Sequence, residues 1–259
     1  MKSFRVCAFS LIFAVFFFPC CGIDEYIYIA PIPQSSVDTS ALSVATIRNI
    51  PTSIFPASLL NPHFEILYRI YISDISENNP QPGGFSSINP VMATHYNAIS
   101  NYINSENPFS SSLLQSLFLN RGFKYLCIQG GQLETVLTDS ILGSSLIFDF
   151  SYANRPPKMT IMNGSVNLGT YTLVRSDLLT QPRPEDNHFF VNTDDLYNSD
   201  FANNDINADV EKNNKTGAGP DRYTYAALYI LAAGMDPQSL SLVYSTPILI
   251  HAFPVPELN

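Results

Sequence analysis

The chain has 259 residues, 46% of them hydrophobic and only 14% charged, with a formal net charge of −9. Such a balance describes a chain that folds around a sizeable core and excludes intrinsic disorder. An acidic chain with no basic run repels phosphate backbones, so nucleic acid is excluded as a partner.

The first element is an address. Lys2 and Arg5 lead into the apolar block Val6–Phe18, which stops at Cys20-Cys21-Gly22. That block is 13 residues long, short of the roughly 20 a bilayer-spanning helix needs. No A-x-A-like triplet precedes Gly22, so an ordinary secretory cut fits poorly. A cysteine at the cut instead fits a lipoprotein signal, in which the thiolate sulfur takes the lipid. Cys21 is the preferred acylation site because its neighbour Cys20 is small; Cys20, preceded by Pro19, is the second choice. The expected organisation is a signal over residues 1–20, a tether over 21–40 and one β-sandwich domain over 41–259, with a helical insertion around 77–141. Removing Lys2 and Arg5 leaves 11 basic against 22 acidic residues, a net charge of −11 for the mature chain. Export and attachment to the inner or outer membrane of a cell envelope follow from this reading.

Further along, IDEYIYIAPIPQSS reads as tether or first edge strand, and LSVATIRNI (Leu42–Ile50) as a strand with Leu42, Val44 and Thr46 on one side. FEILYRIYIS (Phe64–Ser73) alternates cleanly. Phe64, Ile66, Tyr68, Ile70 and Ile72 form an apolar face; Glu65, Leu67, Arg69 and Tyr71 form a mixed one, as in a sheet with one side on a core. After the turn-rich Glu77–Pro90, Met92, Tyr96, Ile99 and Ile103 recur at helical spacing. The stripe Val91, His95, Ala98 and Tyr102 lies beside them, so a helix is expected over about 91–104. A shorter helix over Ser112–Leu119 and a strand over Gly122–Ile128 follow.

Strands resume at Ser144–Ala153, Lys158–Met162 and Thr170–Ser176, with Asn163-Gly164 as turn chemistry. A short strand at His188–Asn192 precedes a polar loop over Thr193–Asp221. RYTYAALYILAAGMDP (Arg222–Pro237), LSLVYS (Leu240–Ser245) and PILIHAF (Pro247–Phe253) close the chain. Many short strands around one helical segment predict an all-β sandwich.

FEILYRIYIS resembles the C strand of a fibronectin-III or immunoglobulin-like sandwich. RYTYAALYILAAGMDP followed by VYSTPILIHAF resembles its F–G pair. The buried tryptophan and the disulfide of antibody domains are absent, since the chain has no Trp and Cys127 is the one cysteine left after Cys21. The start, with Cys21, Gly22, Glu25 and Tyr26, is similar to uncharacterised spirochaete lipoproteins of the treponemal type. That resemblance implies a lipid-anchored envelope protein and brings no catalytic residues.

Chemistry-bearing motifs are few. Cys127, within FKYLCI, reads as a buried, inert small hydrophobe. The histidines His63, His95, His188 and His251 form no HExxH and no pair at metal spacing; His251 reads as a core or edge residue, and His188, after Glu185 and Asp186, as loop. Gly143-Ser144-Ser145 lacks the second glycine of a nucleophile elbow. No phosphate-binding glycine loop occurs, and no cofactor is expected. Asp205, Asn207 and Asp209 match the first ligand positions of a calcium loop, with Glu211 and Asn213 as further oxygens. Val210 stands where that loop needs Gly and Thr216 where it needs Glu, so an EF-hand is rejected. An ad hoc calcium site from Asp194, Asp195, Asp205 and Asp209 is the weaker remainder.

The expected function is a lipid-anchored, non-enzymatic binding or structural module of the cell envelope, with the membrane as partner and a protein or glycan as possible ligand. The alternative is an envelope hydrolase or sugar-active enzyme using loop carboxylates. A solute-binding lipoprotein would need two lobes of alternating strand and helix, and the pattern lacks them.

Overall fold

The computed structural model describes residues 27–39, 41, 43–73, 75–103, 109–128, 141–151, 157–175 and 223–255. Strands take 43% of them, so the protein is mostly β. In chain order the strands are β1 (Val37–Asp38), β2 (Val44–Ile47), β3 (Leu60–Ser73), β4 (Lys124–Ile128), β5 (Ser145–Asp149), β6 (Lys158–Asn163), β7 (Val166–Arg175), β8 (Tyr223–Met235), β9 (Leu242–Tyr244) and β10 (Ile248–Val255). Three helices, α1 (Phe85–Ile88), α2 (Pro90–Ile103) and α3 (Ser111–Leu117), lie between β3 and β4. The all-β architecture interrupted by helices is therefore present, and Lys124–Ile128, inside the expected insertion, belongs to the sheet.

Every strand pairing is antiparallel. The strands form one path, β1-β2-β5-β6-β7-β4-β3-β8-β10, with β9 beside β10 on the same edge of β8. The path curls until its ends approach, and β10 returns to β2. At this seam Phe150 and Phe253 stack with ring centres 4.3 Å apart, and Gln34 Nε2 donates to the Leu249 carbonyl at 2.9 Å.

Curling gives the sheet an inside and an outside, and both are buried where β3 and β8 run. Inside, Phe64, Ile66, Tyr68 and Ile70 of β3 meet Leu228 and Ile230 of β8 and Phe148 of β5. Outside, Leu67 and Tyr71 of β3 and Tyr229 and Leu231 of β8 meet Phe85, Met92, Ile99, Leu114 and Phe118 from the helices. The mixed face expected to lie free of the core is thus covered: Arg69 is only 4% exposed. Such short helices are not stable in isolation; burial of their apolar stripe, about 1.5–3 kcal/mol per large side chain, holds them. Asn89 starts α2, its Oδ1 accepting from the Val91 and Met92 amides at 2.9 and 3.0 Å, with Pro90 at the first helical position.

In β2 Val44 and Thr46 share one face, as the alternation predicts, and it is the other face, Ala45 and Ile47, that is buried. The interior needs the face that β5 also turns inward, and the larger apolar group there is Ile47. The stretch read as tether or edge strand joins the body from Ile27: Ile29 and Ile32 are 1% and 2% exposed within the interior core, and Val37–Asp38 pairs with β2. Proline-rich composition masked these two anchors. The hairpin turn expected at Asn163-Gly164 forms one residue on: Asn163 pairs with Val166, and Gly164 and Ser165 are its two central residues, with Gly164 at φ +59°, where a side chain would be strained.

Gly234 in β8 has a packing role. A Cβ there would stand 2.5 Å from Leu59 Cγ and collide with Cδ2 as well, while Leu59 is itself buried. Gly234→Ala is expected to destabilise by about 1–3 kcal/mol through overpacking, seen as a lower urea midpoint at unchanged m-value.

Candidate functional site

Of the sequence candidates, Cys20, Cys21, Glu185, Asp186, His188, Asp194, Asp195, Asp205, Asn207, Asp209, Glu211 and Asn213 lie outside the described residues. The remaining histidines are placed on strands and a helix. His251 on β10 is 3% exposed and meets Phe253 edge-on at 4.9 Å, the core position expected of it. His63, at the start of β3, puts Nδ1 2.8 Å from the Asn61 carbonyl and Nε2 3.4 Å from Glu65 Oε1. Cys127 differs from expectation: it is half-buried, because Leu126 and Ile128 take the inward face of β4.

The structure assembles a polar cluster that local sequence did not reveal. Alternation along β3 puts Arg69 and Tyr71 on its helix-covered face, and helical spacing puts His95 between Met92 and Ile99 on the buried stripe of α2. All three are less than a tenth exposed. Arg69 Nη1 donates to His95 Nδ1 at 2.6 Å and to the Arg121 carbonyl at 2.6 Å. The guanidinium carbon stands 4.6 Å from the centre of the Tyr71 ring, and the Tyr71 hydroxyl is 2.9 Å from His95 Nδ1. A guanidinium only donates, so the nitrogen it meets must carry a lone pair and the imidazole is neutral. Burial, with Arg69 and Arg121 adding repulsion, lowers the His95 pKa to about 3. Burial also raises the Tyr71 pKa, against the pull of Arg69, so its hydroxyl keeps its proton.

A second polar group lies farther along the same face. Burial pushes the Tyr244 pKa up to about 12, with the Glu65 carboxylate adding to the effect. Tyr125 is raised by burial and then by Glu65 as well. Across the physiological range these hydroxyls stay protonated and the imidazole stays neutral. What they supply is fixed hydrogen bonding: Arg69 ties β3 to α2 and to the turn that follows α3.

The His95 environment has a pH consequence. The folded-state pKa lies below the unfolded value of 6.5, so the unfolded chain binds this proton first. The stability held by neutral His95 is full above about pH 6.5 and is lost as pH falls toward 3, with a slope on the order of 1.4 kcal/mol per pH unit. His95→Gln, whose amide oxygen can accept from Arg69, should remove that slope. Urea unfolding of both proteins from pH 7 to pH 4 measures it, and a stability difference constant with pH would contradict the neutral assignment.

Among the described residues, no group of three or more His, Cys, Asp and Glu is placed to hold a metal ion. No described helix is long and apolar enough to cross a membrane. The chain matches no protein family, no curated protein and no solved structure.

Proposed function

We propose that this chain is an exported lipoprotein, acylated at Cys21, whose curled β body serves the cell envelope as a binding or structural module. The observation that carries the reading is the basic start and apolar block ending at Cys20-Cys21-Gly22. Its length suits a cleaved signal and falls short of a span. A chain that is part of the interior core by Ile29 and an acidic mature chain fit a folded domain held at a membrane by its lipid. Two or three acyl chains anchor firmly where one would be marginal.

For the body we propose an elaborated immunoglobulin or fibronectin-III-like sandwich, in which β3, β8 and β10 act as C, F and G. Support comes from their adjacency, β4-β3-β8-β10, and from β1-β2-β5, which follows the A-B-E order of such domains. The departure is that β6 and β7 join the two halves into one path. The bonds by which Arg69 ties β3 to His95 of α2 and to the Arg121 carbonyl support a structural role for that cluster. A protein or glycan ligand would be met through loops at one end of the body.

The test is phase partitioning of the expressed full chain in a detergent that clouds on warming. Wild type should enter the detergent phase and incorporate labelled palmitate. Cys21→Ser should do neither, while Cys20→Ser should retain both. Unchanged partitioning of Cys21→Ser would sink the proposal.

A further inference from the structure

The inference rests on the lipid anchor proposed above and names the end of the body that meets the bilayer. Antiparallel pairing alternates strand direction along the sheet. β7 and β3 both flank β4, and β3 and β9 both flank β8. These three strands therefore run the same way and begin at the same end. Among the described residues seven large hydrophobic side chains are exposed, and five of them stand at that end. Leu60 opens β3, Val166 and Leu168 lie at the start of β7, Leu242 opens β9 and Leu240 lies in the turn before it. Leu60 is opposite Met235 and Met235 is opposite Leu242, so these three share one face.

The same end is nearly free of charge. Strands β2, β6 and β8 finish there, and β5 and β10 start there. No Asp, Glu, Lys or Arg occurs in residues 49–62, 141–148, 159–174 or 237–250. Among the described residues of these connections the charges are Arg48 and Asp236. Arg48 is bonded to the Asp38 carboxylate. Asp236 turns its carboxylate into its own loop, accepting from the Gln238 amide at 2.8 Å and the Ser239 hydroxyl at 2.7 Å. The opposite end carries Lys124 and Lys158 at the starts of β4 and β6, and Asp149 at the finish of β5.

Leu240 is 66% exposed and has φ +55°, a conformation costly for a leucine. The loop holds it there. The Asp236 amide donates to the Ser241 carbonyl at 3.0 Å, and the Leu240 amide donates to the Asp236 carbonyl at 2.8 Å. An apolar side chain is thus presented to solvent by a closed, hydrogen-bonded turn.

We propose that this end of the sheet inserts shallowly into the bilayer, with Leu60, Val166, Leu168, Leu240 and Leu242 entering the boundary between headgroups and acyl chains. The occupant is a lipid surface. Leu, Val, Ser and Thr are under-represented among the residues that anchor protein partners, whereas Leu and Val favour hydrocarbon and charges oppose it. The acyl anchor keeps the body at high local concentration beside the membrane, so shallow insertion needs little affinity of its own. The acidic mature chain opposes anionic lipid, which makes zwitterionic lipid the appropriate probe.

The chain contains no tryptophan, so a single Trp reports one position. Leu240→Trp places it in the proposed contact. Ile75→Trp places it beyond β3 at the opposite end, where Ile75 is also exposed. An unchanged urea midpoint establishes that each variant keeps the fold. The acylated full chain is extracted, its N-terminal peptide checked by mass spectrometry, and the sample reconstituted into phosphatidylcholine vesicles carrying a quencher near the lipid carbonyls. Leu240→Trp should emit blue-shifted and lose intensity to that quencher, while Ile75→Trp should emit as in water. Adding Leu242→Asp to Leu240→Trp should return the emission toward the red. Water-like emission from Leu240→Trp, or equal quenching at both ends, would overturn the proposal and leave the anchor intact. Blue-shifted emission that the lipid quencher does not reach would mean that protein covers this end, a second copy included, and would overturn it as well. An N-terminal peptide without acyl chains would overturn both.

Discussion

Replacing Phe253 with alanine is expected to lower the unfolding free energy by about 3–5 kcal/mol, the range for removing a buried phenylalanine. Phe253 is fully buried, stacks on Phe150 at 4.3 Å and receives the edge of His251 at 4.9 Å. It stands at the seam where β10 returns to β2, so its loss opens a cavity where no hydrogen-bonded strand pair bridges the gap. Phe150→Ala should cost a similar amount, and the double variant should cost less than the two added together. A coupling of about 0.5–1.5 kcal/mol is expected from the ring pair, measured by urea unfolding of all four proteins. Strict additivity would mean that the two ends of the sheet do not meet.

Arg69→Ala should cost about 1–3 kcal/mol. The guanidinium itself is removed, so no stranded charge remains, but the His95 imidazole and the part-buried Arg121 carbonyl each lose a donor, although the Tyr71 hydroxyl stays 2.9 Å from His95 Nδ1. Losing hydrogen bonds to a charged donor inside a fold costs energy of that order. Arg69→Lys should recover only part of this, because a compact ammonium lacks the planar guanidinium that lies over the Tyr71 ring. Arg69→Ala also removes one of the charges that, after burial, hold His95 down. Its imidazole should titrate nearer the ordinary value, visible in its NMR shifts as pH is lowered. A loss of stability with an unmoved His95 titration would mean that Arg69 acts through packing alone.

What could be read from residues in order was whatever their neighbours determine. The run Tyr225–Ala233 is apolar on both faces, and β8 is buried on both. The turn at Gly164 and the α2 stripe are likewise local patterns. The outer face of β3 was not legible, since Glu65 and Arg69 look like solvent-facing residues until the helices fold over them. Arg69 meets His95 across 26 positions, and only the helical spacing of Met92 and Ile99 hinted that His95 faces inward. Phe150 and Phe253 meet through closure of the whole sheet, which no periodicity encodes. Ile29 and Ile32 were hidden by the prolines between and after them, which read as tether although the side chains are core.

These contacts bear on function because Ile29, in the interior core, follows the proposed anchor Cys21 by only eight positions. Membrane attachment and folding thus involve the same short stretch of chain. Mass spectrometry of the N-terminal peptide from detergent-extracted protein tests the proposed anchor. A peptide that begins at Cys21 and carries two or three acyl chains is expected; an unmodified Cys21, or a mature chain that still contains residues 1–20, would contradict the anchor.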